Sequence, residues 1–334
     1  MSIHLIETAA LVEDTLWLLY STGSLQPSGS LFSLDLPSRK RAEISIPSYG
    51  TIEQFCTLPG GNIIVASSNR ELWQYSSGKM EFLATLPKSP LPALLDRYGL
   101  DNQSTLREVW ESGMVRGRGC LLFRDHILKM FANGREILSL TSSSLLRYDY
   151  VSGRWDIVNL LNLIPKAMRM PAVLSGNGYV YQGTCLGEDG GDLKRIDIKT
   201  GAVYILYEGT QVTSVMRDPW NTSSVLFSTG TWHMGLNRGG IYHIRRRDPL
   251  FSGKAIYGIS SYQNDIIAAS PDGVYRFANG IGFRFDYPDY SLYDGIRVGS
   301  DEQFGTFVLT DIYRHRMVCG SVPLFLEQEN EFSG

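Results

Sequence analysis

The stretch Leu145 to Val158, LLRYDYVSGRWDIV, decides how this chain is read, because a near copy, LKRIDIKTGAVYIL, recurs 48 residues on (193 − 145) from Leu193 to Leu206. Each copy reads as a strand, a short polar turn ending in Gly153 or Gly201, and a second strand. Asp149 and Asp197 hold the same place ahead of the turn. A hairpin that returns at a fixed interval marks a chain built from repeats.

Weaker forms of this hairpin begin at Leu31, Leu72, Ile241, Val274 and Ile312, which makes seven with the two above. Each follows another β run, such as TLWLLYS from Thr15, NIIVASS from Asn62 or SVLFSTG from Ser224. Most have one more short segment before that, as in TIEQFCTLP or PAVLSG. Four strands per repeat in meander order A-B-C-D, at intervals averaging about 47 residues ((312 − 31)/6), predict an all-β, seven-bladed β-propeller. Six or eight blades are the alternatives, and residues 1–334 form a single domain in either case.

One interval is too long. From Leu72 to Leu145 the hairpins stand 73 residues apart (145 − 72), and the excess falls at 88–119. There Thr105 to Glu108 makes a capping box, and Gly99 and Gly113 stop two apolar-periodic pieces, so a short helical insertion is expected between blades two and three. Strand geometry puts the D-to-A crossovers and the B–C loops on one face of the ring. The insertion therefore shares that face with the long loops Ser21 to Ser30, Gly183 to Asp192 and Ser228 to Gly240.

Composition narrows the function classes. The net charge of −3 gives no footprint for nucleic-acid binding, and no stretch approaches the roughly 18 apolar residues of a membrane-spanning helix. The N-terminus lacks a basic start and carries Glu7, Glu13 and Asp14, so it does not read as a signal peptide. Cys56, Cys120, Cys185 and Cys319 are widely spaced, as buried free thiols of a cytoplasmic protein would be.

The paired hairpins resemble the second half of a kelch or quinoprotein-type propeller repeat. Met216 to Ile244, MRDPWNTSSVLFSTGTWHMGLNRGGIYHI, resembles a blade of the BNR and sortilin type, with a D-P-x-N start and Gly-Gly before an aromatic strand. The sialidase Asp-box is absent, so the resemblance implies a propeller and no particular activity.

No P-loop, G-x-S-x-G, H-E-x-x-H or EF-hand loop is written in the chain. The richest recognition loop is Trp232, His233, Met234, Asn237 and Arg238, which joins an aromatic anchor, a thioether and a guanidinium fork. Tyr290 and Tyr293 in the last crossover, and Trp110 in the insertion, fall on the same face. These eight residues are the expected contacts of a non-catalytic scaffold for a protein or peptide partner. A metal-assisted hydrolase or lactonase with a cation in the central channel is the first alternative. Glu188, Asp189 and Asp218 would then supply carboxylates to a divalent cation such as calcium. A carbohydrate-binding propeller, suggested by the surplus of Trp and Tyr, is the second. No cofactor is expected under the scaffold reading.

Overall fold

The structure is a computed structural model. It describes residues 5–12, 15–21, 29–35, 38, 40–48, 50–88, 90, 91, 96, 126–164, 170–186, 190–233, 236–246, 248–262, 264–270, 273–278, 281–285, 297–301 and 305–309.

Strands follow the chain in antiparallel groups of four. The first group holds β1 (Leu5–Val12), β2 (Thr15–Ser21), β3 (Gly29–Asp35) and β4 (Arg41–Ile44). The second holds β5 (Ile52–Thr57), β6 (Ile63–Ser67), β7 (Glu71–Ser76) and β8 (Lys79–Thr85), joined to the first by one pairing of Gly29 with Ile52. The third holds β9 (Ile127–Asn133), β10 (Glu136–Thr141), β11 (Ser144–Asp149) and β12 (Arg154–Asn159). The fourth holds β13 (Ala172–Leu174), β14 (Tyr179–Cys185), β15 (Gly191–Asp197) and β16 (Val203–Glu208). The fifth holds β17 (Val212–Asp218), β18 (Asn221–His233), β19 (Leu236–His243) and β20 (Phe251–Ser252). The sixth holds β21 (Gly258–Tyr262), β22 (Asp265–Ser270), β23 (Gly273–Ala278) and β24 (Ile281–Phe285). Last come β25 (Arg297–Asp301) and β26 (Gly305–Leu309), a two-stranded sheet.

The first strand of each group packs on the first strand of the next, and β25 touches both β21 and β1, so the succession closes into a ring. Radial four-stranded meanders around a closed ring make a β-propeller. Among the described residues six blades are complete, not the expected seven. The last repeat contributes two strands, and the residues from which its others were expected, from Ile312 on, lie outside the described ones. The helical insertion is likewise not supported as an element: every element formed by the described residues is a strand, with helical backbone at Leu91 and Asp96 alone. Of residues 88–119 only 88, 90, 91 and 96 are described, so Trp110 lies outside them. The inner strands of blades two and three, β5 and β9, are tied together. Glu53 accepts the Ile127 N–H at 3.0 Å and meets His126 Nδ1 at 2.5 Å.

Burial explains why the inner strands read as continuous apolar runs. A blade is covered on both faces by its neighbours, so β6 and most of β10 are wholly buried, while the outer strands β8 and β12 alternate with solvent. The cores are interfaces. Ile64, Leu72, Ile137 and Leu146 fill the space between blades two and three, and Leu138, Leu145, Val180 and Ile196 fill that between three and four. Cys56 and Cys185 are free and buried, and burial pushes the Cys56 thiol up to about 12.

Both founding hairpins turn by one device. Asp149 Oδ1 accepts the N–H groups of Val151 and Ser152, and Asp197 Oδ1 those of Lys199 and Thr200. These bonds, that from Ser152 foremost, hold the Asp149 carboxyl below its ordinary value. Gly201 closes the second turn at φ 71°, where a Cβ would stand 2.0 Å from the Asn159 carbonyl oxygen. The turn can therefore sit against the end of blade three only because this residue lacks a side chain.

Candidate functional site

Blade five departs from the expected pattern at its B–C connection. The stretch Ser228 to Gly240, expected as a loop, is mostly strand. β18 runs 13 residues and pairs with β19 as far as His233 with Leu236. Its other neighbour, β17, leaves it at Thr229. Gly230, Thr231, Trp232 and His233 are thus paired on the β19 side alone among the described residues, and the hairpin projects beyond its blade. Glycine makes this possible at Gly239, since a Cβ there would lie 2.1 Å from the Thr229 carbonyl oxygen.

Beside the hairpin lies a cleft of about 470 Å³. One wall is Thr229, Thr231, Leu236 and Arg238 of the hairpin; the other is Gly190 of the blade-four B–C connection with Gly209, Thr210 and Gln211 of the crossover into blade five. B–C and crossover segments do share a face, as strand direction requires.

The expected site residues are distributed as follows. Trp232 pairs in register with Asn237, and His233 with Leu236. Asn237 and Arg238 point to opposite sides of the hairpin: Asn237 Oδ1 accepts the Ala255 N–H at 2.7 Å, whereas Arg238 is exposed along the cleft. Met234, Tyr290, Tyr293, Glu188 and Asp189 lie outside the described residues. Asp218 is buried with both oxygens engaged, Oδ1 by the Trp220 N–H at 2.9 Å and Oδ2 by His243 at 3.2 Å. Among the described residues no group of three or more His, Cys, Asp and Glu could hold a metal ion.

Asp218 belongs instead to a buried Asp–His–Ser cluster that sequence reasoning missed, because its members are up to 25 residues apart (243 − 218) on three strands. Its geometry is not that of an activated nucleophile. Ser224 Oγ at 2.9 Å and Asp218 Oδ2 both approach His243 Nε2, while Nδ1 accepts the Arg245 N–H at 2.9 Å. A general base needs the carboxylate on one ring nitrogen and the hydroxyl on the other. Here the neutral ring carries its proton on Nε2 and cannot take one from Ser224. The cluster is a clamp joining the ends of β17, β18 and β19.

Burial holds His243 below its ordinary value of 6.5, against the pull of Asp218 and with the help of Arg246 and Arg245. The folded ring stays neutral where the unfolded one charges, so its contribution is complete above about 6.5 and is lost as pH falls toward the folded value. Urea midpoints should fall between about pH 7.5 and 5.5, and the fall should be smaller in His243→Gln. Identical pH dependence in the two proteins would remove this assignment.

No family model matches the sequence, and no curated protein does. Solved structures match in large number, 1032 chains, which makes the architecture a common one. YCF48 bound to a D1 peptide aligns with a TM-score of 0.57 at 8% identity, over 93% of this chain and 90% of that one. The extracellular domain of a hybrid two component system from B. thetaiotaomicron aligns over 91% of this chain at 15% identity. This chain spans 38% of that protein, and the TM-score of 0.40 carries no argument. Identities this low bear on fold alone. The closed ring of meanders, with the YCF48 likeness beside it, makes this chain a β-propeller.

Proposed function

We propose that this propeller is a non-catalytic scaffold that holds a protein or peptide partner on the face bearing its B–C connections. One observation carries the reading: β18 and β19 run past their blade and stand beside a cleft, with one edge of β18 unpaired among the described residues. An unpaired edge is costly to leave open and is a ready template for a further strand. That YCF48, of like fold, is solved with a peptide supports the same kind of use.

The test shortens the hairpin. Replacing residues 231–238 by Asn-Gly keeps the Gly230–Gly239 pair and removes only what projects. Capture from the native lysate on the intact chain should yield a stoichiometric partner that the shortened chain loses, at a melting temperature within a few degrees of the original. A partner retained by the shortened chain, or none on the intact one, overturns the reading.

A further inference from the structure

Resting on that reading, we propose that the cleft takes an extended acidic segment of the partner, laid along the free edge of β18 with one carboxylate on Arg238. Three features of the cleft converge on this occupant. Gly190 and Gly209 line the wall opposite the hairpin with bare backbone, and among the described residues nothing stands within 4 Å of where a Gly209 Cβ would lie, so another main chain can come within hydrogen-bonding reach there. The edge residues Gly230 to His233 have a strand partner on one side alone among the described residues, and an added strand would complete the ladder.

The third feature is charge. Among the described residues Arg238 is the only charged one lining the cleft; it is exposed and has no ion pair or hydrogen bond with any of them. Register sets it opposite Thr231, another residue of the same wall, and Asn237 is turned away onto Ala255. The remaining walls, Thr210, Gln211, Thr229 and Thr231, are neutral hydrogen-bonding groups. A guanidinium fork in such surroundings is matched by a carboxylate, which it can bind through two parallel N–H···O bonds. A nucleic-acid strand would need a row of cations, and among the described residues the cleft has one.

The full-length protein is titrated, by fluorescence anisotropy, into fluorescein-labelled 12-residue peptides of alternating Thr and Glu, Thr and Gln, or Thr and Lys. The Thr-Glu peptide should bind at least about tenfold more tightly than Thr-Gln and weaken with salt. Arg238→Glu should reverse the order of the Glu and Lys peptides without changing the melting temperature, and Arg238→Lys should keep part of the preference. Equal binding of Glu and Gln peptides, tighter binding of a labelled oligo-dT, or wild-type behaviour of Arg238→Glu overturns the proposal. Its failure is separable from that of the scaffold reading. Peptides bound without acidic preference yet lost by the shortened hairpin remove the acidic occupant and leave the docking face; binding unaffected by shortening removes the face itself. No binding of any peptide overturns the acidic occupant, while partner capture by the intact chain decides the scaffold.

Discussion

Lys194→Met is expected to lower the unfolding free energy by about 3–5 kcal/mol. Lys194 and Asp192 are both fully buried on β15, with the ammonium on Asp192 Oδ1. The same carboxylate oxygen accepts the Thr184 hydroxyl at 2.6 Å, and the Thr184 oxygen accepts the Asp192 N–H at 2.8 Å. Burial pushes the Lys194 ammonium below its ordinary value, and Asp192 pulls it back. Removing the lysine therefore leaves a carboxylate away from water without its cation, the costly half of a broken pair. Adding Asp192→Asn to that variant should recover more than half of the loss, because a neutral amide can still accept from Thr184 and no charge is stranded. Guanidinium denaturation at neutral pH, followed by tryptophan fluorescence, measures both. A single variant with the wild-type midpoint would show the pair to be solvated.

Phe227→Ala should cost a similar amount, about 3–5 kcal/mol. Phe227 is 1% exposed and lies between Tyr207 of blade four and Tyr242 of its own blade, with ring centroids at 4.8 and 5.3 Å. Val212, Val225, Leu193 and Tyr181 surround the three rings, so truncation opens a cavity between two blades that rigid strands cannot collapse to fill. Trp220→Ala is the matched control. That ring is 53% exposed, and its loss should stay within about 0.5 kcal/mol. Should the two variants unfold at the same denaturant concentration, the interface between blades four and five is not where the stability of this region resides.

Such interfaces were partly legible. Leu193 and Ile196 belong to a strand pattern that any reader of LKRIDIKTG would find, and the turn after it forms from Asp197 and Gly201 in place. Lys194 is different. Period-two alternation names the apolar side of a strand but supposes the other side wet, whereas a blade is covered on both faces, and Lys194 is left without water. The same limit applies to Asp218. A carboxylate before a turn reads as a free ligand, and only the approach of His243 from β19 shows that its oxygens are engaged.

Beside the cleft, the residue types of STGTWHMGLNRGG drew attention by themselves, but their turn-rich composition hid a strand. Thr231 and Arg238 become neighbours across a hairpin whose length follows from cross-strand pairing and from the room Gly239 leaves beside Thr229. By itself the sequence determined the all-β class, the strand–turn–strand units and their order, because these rest on contacts within some 15 residues, where closing a loop costs little entropy. The tertiary structure alone decided how the ring closes, which charges go dry and which edge of β18 is unpaired among the described residues. Those outcomes depend on strands dozens of residues apart competing for the same surfaces, and no local pattern records which of them wins.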